Sequence, residues 1–572
     1  MPGSSAFAPF HLHGRHGTVR RMLRSPALPA LALTLSALID LALPASAAAQ
    51  AGQPDPGFSI LAPQAGRTDP TPDQPVADLS DETYIVIGPH LDRDSYLALR
   101  GGTHDQVLRT RWRIARTALD GTALDSEQRE IVIGDGYVTE TGESERVIQD
   151  FLTRRTLTRV PALDGPVMRN EPFVAHIHRQ MNTFAYYTEG GTLDQVTGPG
   201  GTAFDRFWIE AAMGVRLAEA ELASTVNEDG ITEIRRNADG SALFTHRDDR
   251  LGAGRPAALF RAWLQHSVPV HPDALATLVD EAGIPAEFSF LVFSPSSPDG
   301  RRETWTRLSE HEDAAAFPWP EGLAPARADS YQIDDPAVRG LLQAGLDAAA
   351  RPSAAPADAD FLAAADAAQR RADPAGAYLA LYQISHHQGP CRGDTPSPVC
   401  NRMSQVTASG IGNANFEALM SAITSMQSDR AAAITILRDH LHRDGLEGGA
   451  ANLLAAQALA ALRSSQAGAL PDMNLPALFA ASAVADPYAP MAFWHGGRFV
   501  ASQGDVETAW LLFDIARSLP ASQSLPPARE AVAMSEQLQM LAPGFFLHVS
   551  DTPQDDPDQD ADEGNAVDPV EN

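Results

Sequence analysis

His176-Ile177-His178 places two imidazoles two positions apart, a spacing that points both rings to one side on a strand and to different sides on a helix. On a strand such a pair can supply two ligands of a hydrolytic zinc site, which needs a third protein ligand and an open position for water. The apolar spacing predicts a helix over Phe173 to Tyr187, where the two rings diverge, and no remaining ligand is evident. These histidines are therefore expected to be structural. His440 and His442 fall in a second helical stretch and meet the same objection, while His386-His387 reads as a surface pair. His311-Glu312 lacks the second histidine of a zincin helix, and neither a GxSxG elbow nor a GxGxxG loop occurs. Asp92-Arg93-Asp94 reads as a polar turn. The sequence identifies no catalytic residue; no cofactor or metal is expected, and the residue pattern leans away from an enzyme without deciding the question.

The basic residues narrow the chemistry further. All 43 are arginine; the chain has no lysine. A P-loop needs a lysine on its β and γ phosphates, and protein kinases need one on a strand. Schiff-base and serine-lysine mechanisms need a titratable amine, which a guanidinium cannot replace because it stays protonated. Those classes are excluded. Arg109, Arg111 and Arg113 form a ladder on one face of an alternating strand; parallel guanidinium groups can receive carboxylates or phosphates, but the ordinary expectation is a solvated face paired with Asp and Glu of neighbouring strands.

The two cysteines, Cys391 and Cys400, flank a loop rich in proline and glycine between helical segments. In an exported chain that spacing reads as a disulfide within one domain, worth about 2–3 kcal/mol in the loop-closure model. It does not fit a CxxC redox motif. Arg392-Gly393-Asp394 inside the loop is an adhesion-type tripeptide, expected by chance in a chain this rich in its three residues.

The N-terminal stretch predicts export. Arg15, Arg20, Arg21 and Arg24 precede an apolar run from Pro26 to Leu43, and Ala45-Ser46-Ala47-Ala48-Ala49 supplies small residues for cleavage near Ala47 or Ala49. The run is short for a membrane span and contains Pro29 and Asp40, so no stable span is expected after cleavage, and the expected location is the periplasm. The net charge of -30 argues against nucleic acid as a partner.

Composition divides the chain into a signal peptide (1–49), a proline-rich disordered linker (50–80), an α+β domain (81–345), a short linker (346–358), a helical-repeat-like domain (359–547) and an acidic disordered tail (548–572). In the α+β domain, strands are expected at Thr83–Ile87, Leu108–Ile114, Arg146–Phe151, Thr156–Val160, Phe288–Phe293 and Glu303–Leu308. Hairpins are expected across Gly134-Asp135-Gly136 and across Asn237 to Gly240. Helices are expected at Phe173–Tyr187, Ala203–Leu222, Ala257–His266 and Asp273–Ala282. The product is an antiparallel sheet with packed helices.

The C-terminal domain is expected to be all-α, with helices at Phe361–Arg371, Ala375–His386, Asn415–Met426, Asp429–His442 and Ala450–Arg463. Near its end, Gly497, Ala509, Phe513 and Ala516 occupy alternating small and large positions around Gly504-Asp505. This stretch of one hairpin resembles a tetratricopeptide or Sel1-like repeat, in which small residues let paired helices approach. The resemblance implies a concave surface for a protein partner in the cell envelope, hence a scaffold or adaptor. The alternative is an exported hydrolase or small-ligand-binding protein with its site in the α+β domain.

Overall fold

Leu108, Trp112 and Ile114 alternate with Arg109, Arg111 and Arg113, so the strand that carries them has one apolar and one charged face. The computed structural model describes residues 89–519, except 91, 101–103, 143–145, 162–164, 181–204, 217–218, 239, 248, 281, 295–296, 321–322, 389–396 and 466–472. The expected signal peptide, proline-rich linker, Thr83–Ile87 strand and acidic tail fall outside these residues, as do Cys391, Arg392-Gly393-Asp394 and the end of the helix expected over Phe173–Tyr187.

The N-terminal half is built on a large antiparallel sheet, and the C-terminal half is mostly helical. The alternating strand is β1 (His104–Ala118), which pairs antiparallel with β2 (Ala123–Ile133) and with the 20-residue β13 (Ser297–Ala316). On the β2 side follow β3 (Tyr137–Thr141), β4 (Arg146–Asp150), β5 (Arg155–Val160), β6 (Val167–Pro172) and the two-residue β14 (Ala324–Pro325), which alone is parallel to its neighbour. On the β13 side follow β12 (Glu287–Ser294), β9 (Ala242–Arg247), β8 (Ile231–Arg236) and β7 (Leu222–Val226), closing a 12-stranded sheet. A separate pair joins β10 (Arg250–Leu251) to β11 (Ile284–Pro285).

The hairpin across Gly134-Asp135-Gly136 connects β2 to β3, with Gly136 at φ 86°, a conformation that glycine adopts without a Cβ clash. Strand β13 runs well beyond the expected Glu303–Leu308. Its polar continuation, Ser309–Ala316, has no strand pattern of its own and is held by β1 residue for residue. Tertiary pairing overrides local preference there.

Helix α1 (Arg93–Arg100) lies on the charged-side face, where Tyr96 and Leu97 join Val107, Tyr137, Ile148, Leu157 and Phe317 in a small core. Asp150 anchors it from beneath, accepting from Arg100 Nε at 2.8 Å and Tyr96 Oη at 2.9 Å. Asp92 caps its start by accepting from the Ser95 amide at 3.0 Å and Ser95 Oγ at 2.7 Å, which makes Asp92-Arg93-Asp94 a helix start.

The opposite face carries the main core. Against it pack α2 (helical over 173–180), α3 (Arg206–Met213), α4 (Arg255–Ser267) and α5 (Pro272–Leu278). Trp112, Phe260, Trp263, Phe288 and Trp305 form its aromatic centre, with Trp112 and Trp305 fully buried. The helix expected over Ala203–Leu222 stops at Met213. Gly214, at φ 66°, takes the left-handed cap and donates to the Ala211 and Glu210 carbonyls, and Leu222 already belongs to β7.

The helical half starts earlier than composition suggests. Its first helix is α6 (Pro336–Ala349), capped by Asp335, then α7 (Asp358–Arg370), α8 (Pro374–Gln388), α9 (Pro398–Gly410), α10 (Ala414–Ser425), α11 (Arg430–Leu437), α12 (Gly445–Ser465), α13 (Leu475–Ala485), α14 (Pro490–Ser502) and α15 (Val506–Ser518). Although α6 precedes the expected 346–358 linker, it packs on α13, α14 and α15. A Cβ at Gly345 would lie 2.8 Å from Phe493 Cε1, so α6 approaches α14 closely because it has no side chain there. One hydrophobic core is continuous from Trp305 and Phe260 through Leu341 to Phe493 and Phe513. The two halves share their interior.

Candidate functional site

Buried polar groups that the sequence did not single out meet where α15 crosses β5, β6 and α2. Arg155 on β5 is fully buried and holds Asp514 of α15 with Nη2 at 2.6 Å and Nη1 at 3.2 Å. Arg517, one helical turn on, donates Nε to the same carboxylate at 2.8 Å. Burial opposes ionisation of Asp514, and the two guanidinium groups outweigh it, holding the carboxyl below its ordinary range. Arg155 is held in turn by the Asn170 side chain and carbonyl. Tyr331 lies under Arg169, whose guanidinium stands 4.8 Å from its ring centre, and burial pushes the phenol well up.

Beside this cluster sit the two histidines of His176-Ile177-His178. They lie on helix α2 and diverge, as the spacing requires. His176 Nδ1 faces Arg179 at 2.8 Å, and its ring lies 5.9 Å from that of His266 on α4. His178 Nδ1 accepts from Trp510 Nε1 of α15 at 2.8 Å. Arg179 reaches Glu507, also on α15. Desolvation holds both imidazoles neutral: His176 falls far below its usual value, with Arg179 and His266 adding to the effect, and His178 falls to about 4. A neutral Nδ1 is what the Trp510 bond needs.

That arrangement carries a prediction with a definite sign. The folded pKa of His178 lies below its unfolded value near 6.5, so its contribution is complete above pH 6.5 and is lost as pH falls towards 4. The difference corresponds to about 3 kcal/mol, reduced by the solvent that reaches the partly exposed ring. His178→Asn is expected to flatten the fall in stability between pH 6.5 and 4, measured by urea titrations across that range. An unchanged slope would overturn it.

Another histidine, His271, is buried and was not singled out by the sequence. His271 Nδ1 accepts from the Asp273 amide at 3.2 Å and so caps α5, leaving Nε2 to donate to Glu210 at 3.0 Å. Its pKa is lowered, chiefly by burial. The signal available in the sequence was His271-Pro272-Asp273, a cap followed by proline and an acidic first turn.

The remaining candidates scatter. His440 is buried with Nδ1 accepting from Arg443 Nε at 3.1 Å, while His442 is exposed. His311 is exposed on β13, 3.7 Å from Asp313. The side chains of His386 and His387 lie outside the described residues. In the arginine ladder, Arg109 lies 3.4 Å from Glu130 and 3.9 Å from Asp313, while Arg111 and Arg113 are exposed, which is the ordinary paired and solvated face. Among the described residues no three His, Cys, Asp or Glu side chains converge in a geometry that could hold a metal ion.

The repeat-like residues do come together. Gly497 of α14 faces Phe513 of α15, and a Cβ there would lie 2.5 Å from Phe513 Cε1 and 3.1 Å from the Ala509 carbonyl; Ala509, Phe513 and Ala516 are fully buried. Gly497→Val is expected to cost about 1–3 kcal/mol by forcing these helices apart, read as a lower denaturation midpoint. Val at the neighbouring exposed Gly504, at φ 87°, tests backbone strain without the packing clash.

Chemically, the seam is a set of groups that satisfy one another: guanidinium with carboxylate, indole with neutral imidazole. Its evident work is to join the halves. Compared with protein-family models and with curated proteins, the chain matches no family and no relative.

Proposed function

We propose that the protein is exported to the bacterial envelope, its signal peptide removed near Ala47 or Ala49, and that it serves there as a protein-interaction scaffold or adaptor through its helical half. The observation that carries the reading is the succession of helices: α7 packs on α8, α8 on α9, α10 on α11, α11 on α12, α12 on α13 and α14 on α15. Neighbour-on-neighbour packing of this kind builds extended surfaces for partner proteins, and it supports the tetratricopeptide or Sel1-like resemblance around Gly497. Ile411 and Val484, each about three-quarters exposed, present apolar side chains on that half. No described helix is long and apolar enough to cross a membrane. The Cys391–Cys400 disulfide belongs to the same proposal; Cys400 is buried at the start of α9, and a disulfide there would suit an oxidising compartment.

The test keeps the chain whole, because the halves share one core. A photo-crosslinking residue placed at Ile411 or Val484 in cells should yield an adduct of one defined mass, and the same residue at Leu124 or Leu308 on the sheet should not. Adducts from the sheet positions alone, or none from either helical position, would overturn the adaptor reading. The N-terminus of the mature chain, read by mass spectrometry, tests export separately.

A further inference from the structure

The two edges of the large sheet are unlike. One ends in β14, two residues long and containing Pro325, and beside it α15 packs against β6. That edge is short, lacks a donor and is partly covered. The other ends in β7, whose sequence Leu222-Ala223-Ser224-Thr225-Val226 has no charge and no proline. Its five residues pair with β8 without a register shift, from Leu222 opposite Arg236 to Val226 opposite Thr232. Ala223, Ser224, Thr225 and Val226 are exposed although they alternate across both faces of the sheet, and Val226 is 65% exposed. No further strand among the described residues pairs with the outer side of β7.

An exposed, regular, uncharged edge is a ready template for another strand, and proteins ordinarily blunt such edges with charge, proline or a bulge. Here the charges stand only at its ends. Glu219 and Glu221 precede the strand, and Glu228 and Asp229 lie in the turn that follows it; all four are exposed and none is in an ion pair among the described residues. Strand addition supplies affinity through the backbone, while side chains at the ends select the partner.

We propose that β7 receives an extended peptide segment as an additional strand, and that the segment carries a short uncharged, β-prone centre flanked on both sides by arginine or lysine. Charge chooses between occupants. A second copy of this chain would bring its own acidic clusters against these, and its net charge of -30 adds repulsion. A basic-flanked segment places its charges over Glu219 and Glu221 at one end and Glu228 and Asp229 at the other. This surface is separate from the helical one proposed above and does not depend on it.

The experiment uses the full mature chain and a fluorescent peptide of about nine residues, with alternating threonine and valine in the centre and two arginines at each end. Anisotropy should show binding that weakens steeply with salt. N-methylation of the alternate central residues whose amides face β7, which removes the donors to that edge, should weaken it about tenfold or more. Replacing the terminal arginines by glutamates should abolish it. On the protein, Ser224→Pro blocks the edge; the pair Glu221→Lys and Glu228→Lys leaves the backbone intact and decides the matter if the proline variant fails to fold. Hydrogen exchange should slow at β7 amides when the peptide is added. Equal binding of the N-methylated peptide, binding unaffected by the lysine pair, or no binding of the basic peptide would overturn the proposal. So would a concentration-dependent dimer that Ser224→Lys dissolves, which would assign the edge to a second copy.

Discussion

Asp514→Ala is expected to lower the stability of the whole chain by about 3–5 kcal/mol, because it leaves Arg155 and Arg517 buried without their counter-charge. Replacing both partners of a buried pair by apolar groups can be nearly neutral, whereas removing one leaves an uncompensated charge. Arg155→Ala should therefore destabilise as well, and the double variant should lose much less than the sum of the two. The effect should reach both halves. Arg155 lies on β5 and Asp514 on α15, 359 residues apart, and the core beneath them is continuous. Tryptophans report from each side: Trp112 and Trp305 from the sheet, Trp494 and Trp510 from the helices. Chemical denaturation should show one transition, displaced as a unit in Asp514→Ala. Two transitions of which only one moves would show that the halves are separable and that the seam is local.

Asp486→Asn has the opposite sign. This residue ends α13 fully buried; Oδ1 accepts from the Tyr488 amide at 3.2 Å, and Oδ2 has no hydrogen-bond partner among the described residues. Burial raises its pKa to about 6, against a lesser opposing effect of the Tyr488 amide. A carboxyl with a folded pKa above its unfolded value near 3.8 penalises folding where it must ionise. The penalty is absent below pH 3.8, grows between 3.8 and 6, and is complete above 6. Its full size is about 3 kcal/mol. Asn keeps the acceptor for Tyr488 without the charge, so the variant should exceed the native chain in stability at pH 7.5 and lose that advantage by pH 4. A variant less stable at pH 7.5 would mean that an unseen partner holds Asp486 ionised at no cost.

Local structure was legible wherever a short stretch carries its own pattern. The alternation around Trp112, the glycine turn at Gly136, the hairpin between β8 and β9 and the proline starts of α5 and α8 all follow from neighbours in sequence. The helix expected to Leu222 overlooks a local signal, the glycine at Gly214 that takes the left-handed cap. The boundary that leaves most of α6 with the sheet domain fails because the deciding partner is remote: composition cannot show that Gly345 admits Phe493.

The seam shows the same division. Spacing alone established that His176 and His178 diverge on a helix, and the missing lysines excluded whole classes of chemistry without any fold. Nothing in the chain near Arg155 marks it as the partner of Asp514, nor His178 as the acceptor for Trp510. Periodicity and turn chemistry act over a few residues and are written in order along the chain. Which groups leave water together depends on how distant elements close over one another, and burial then decides which of those groups are charged.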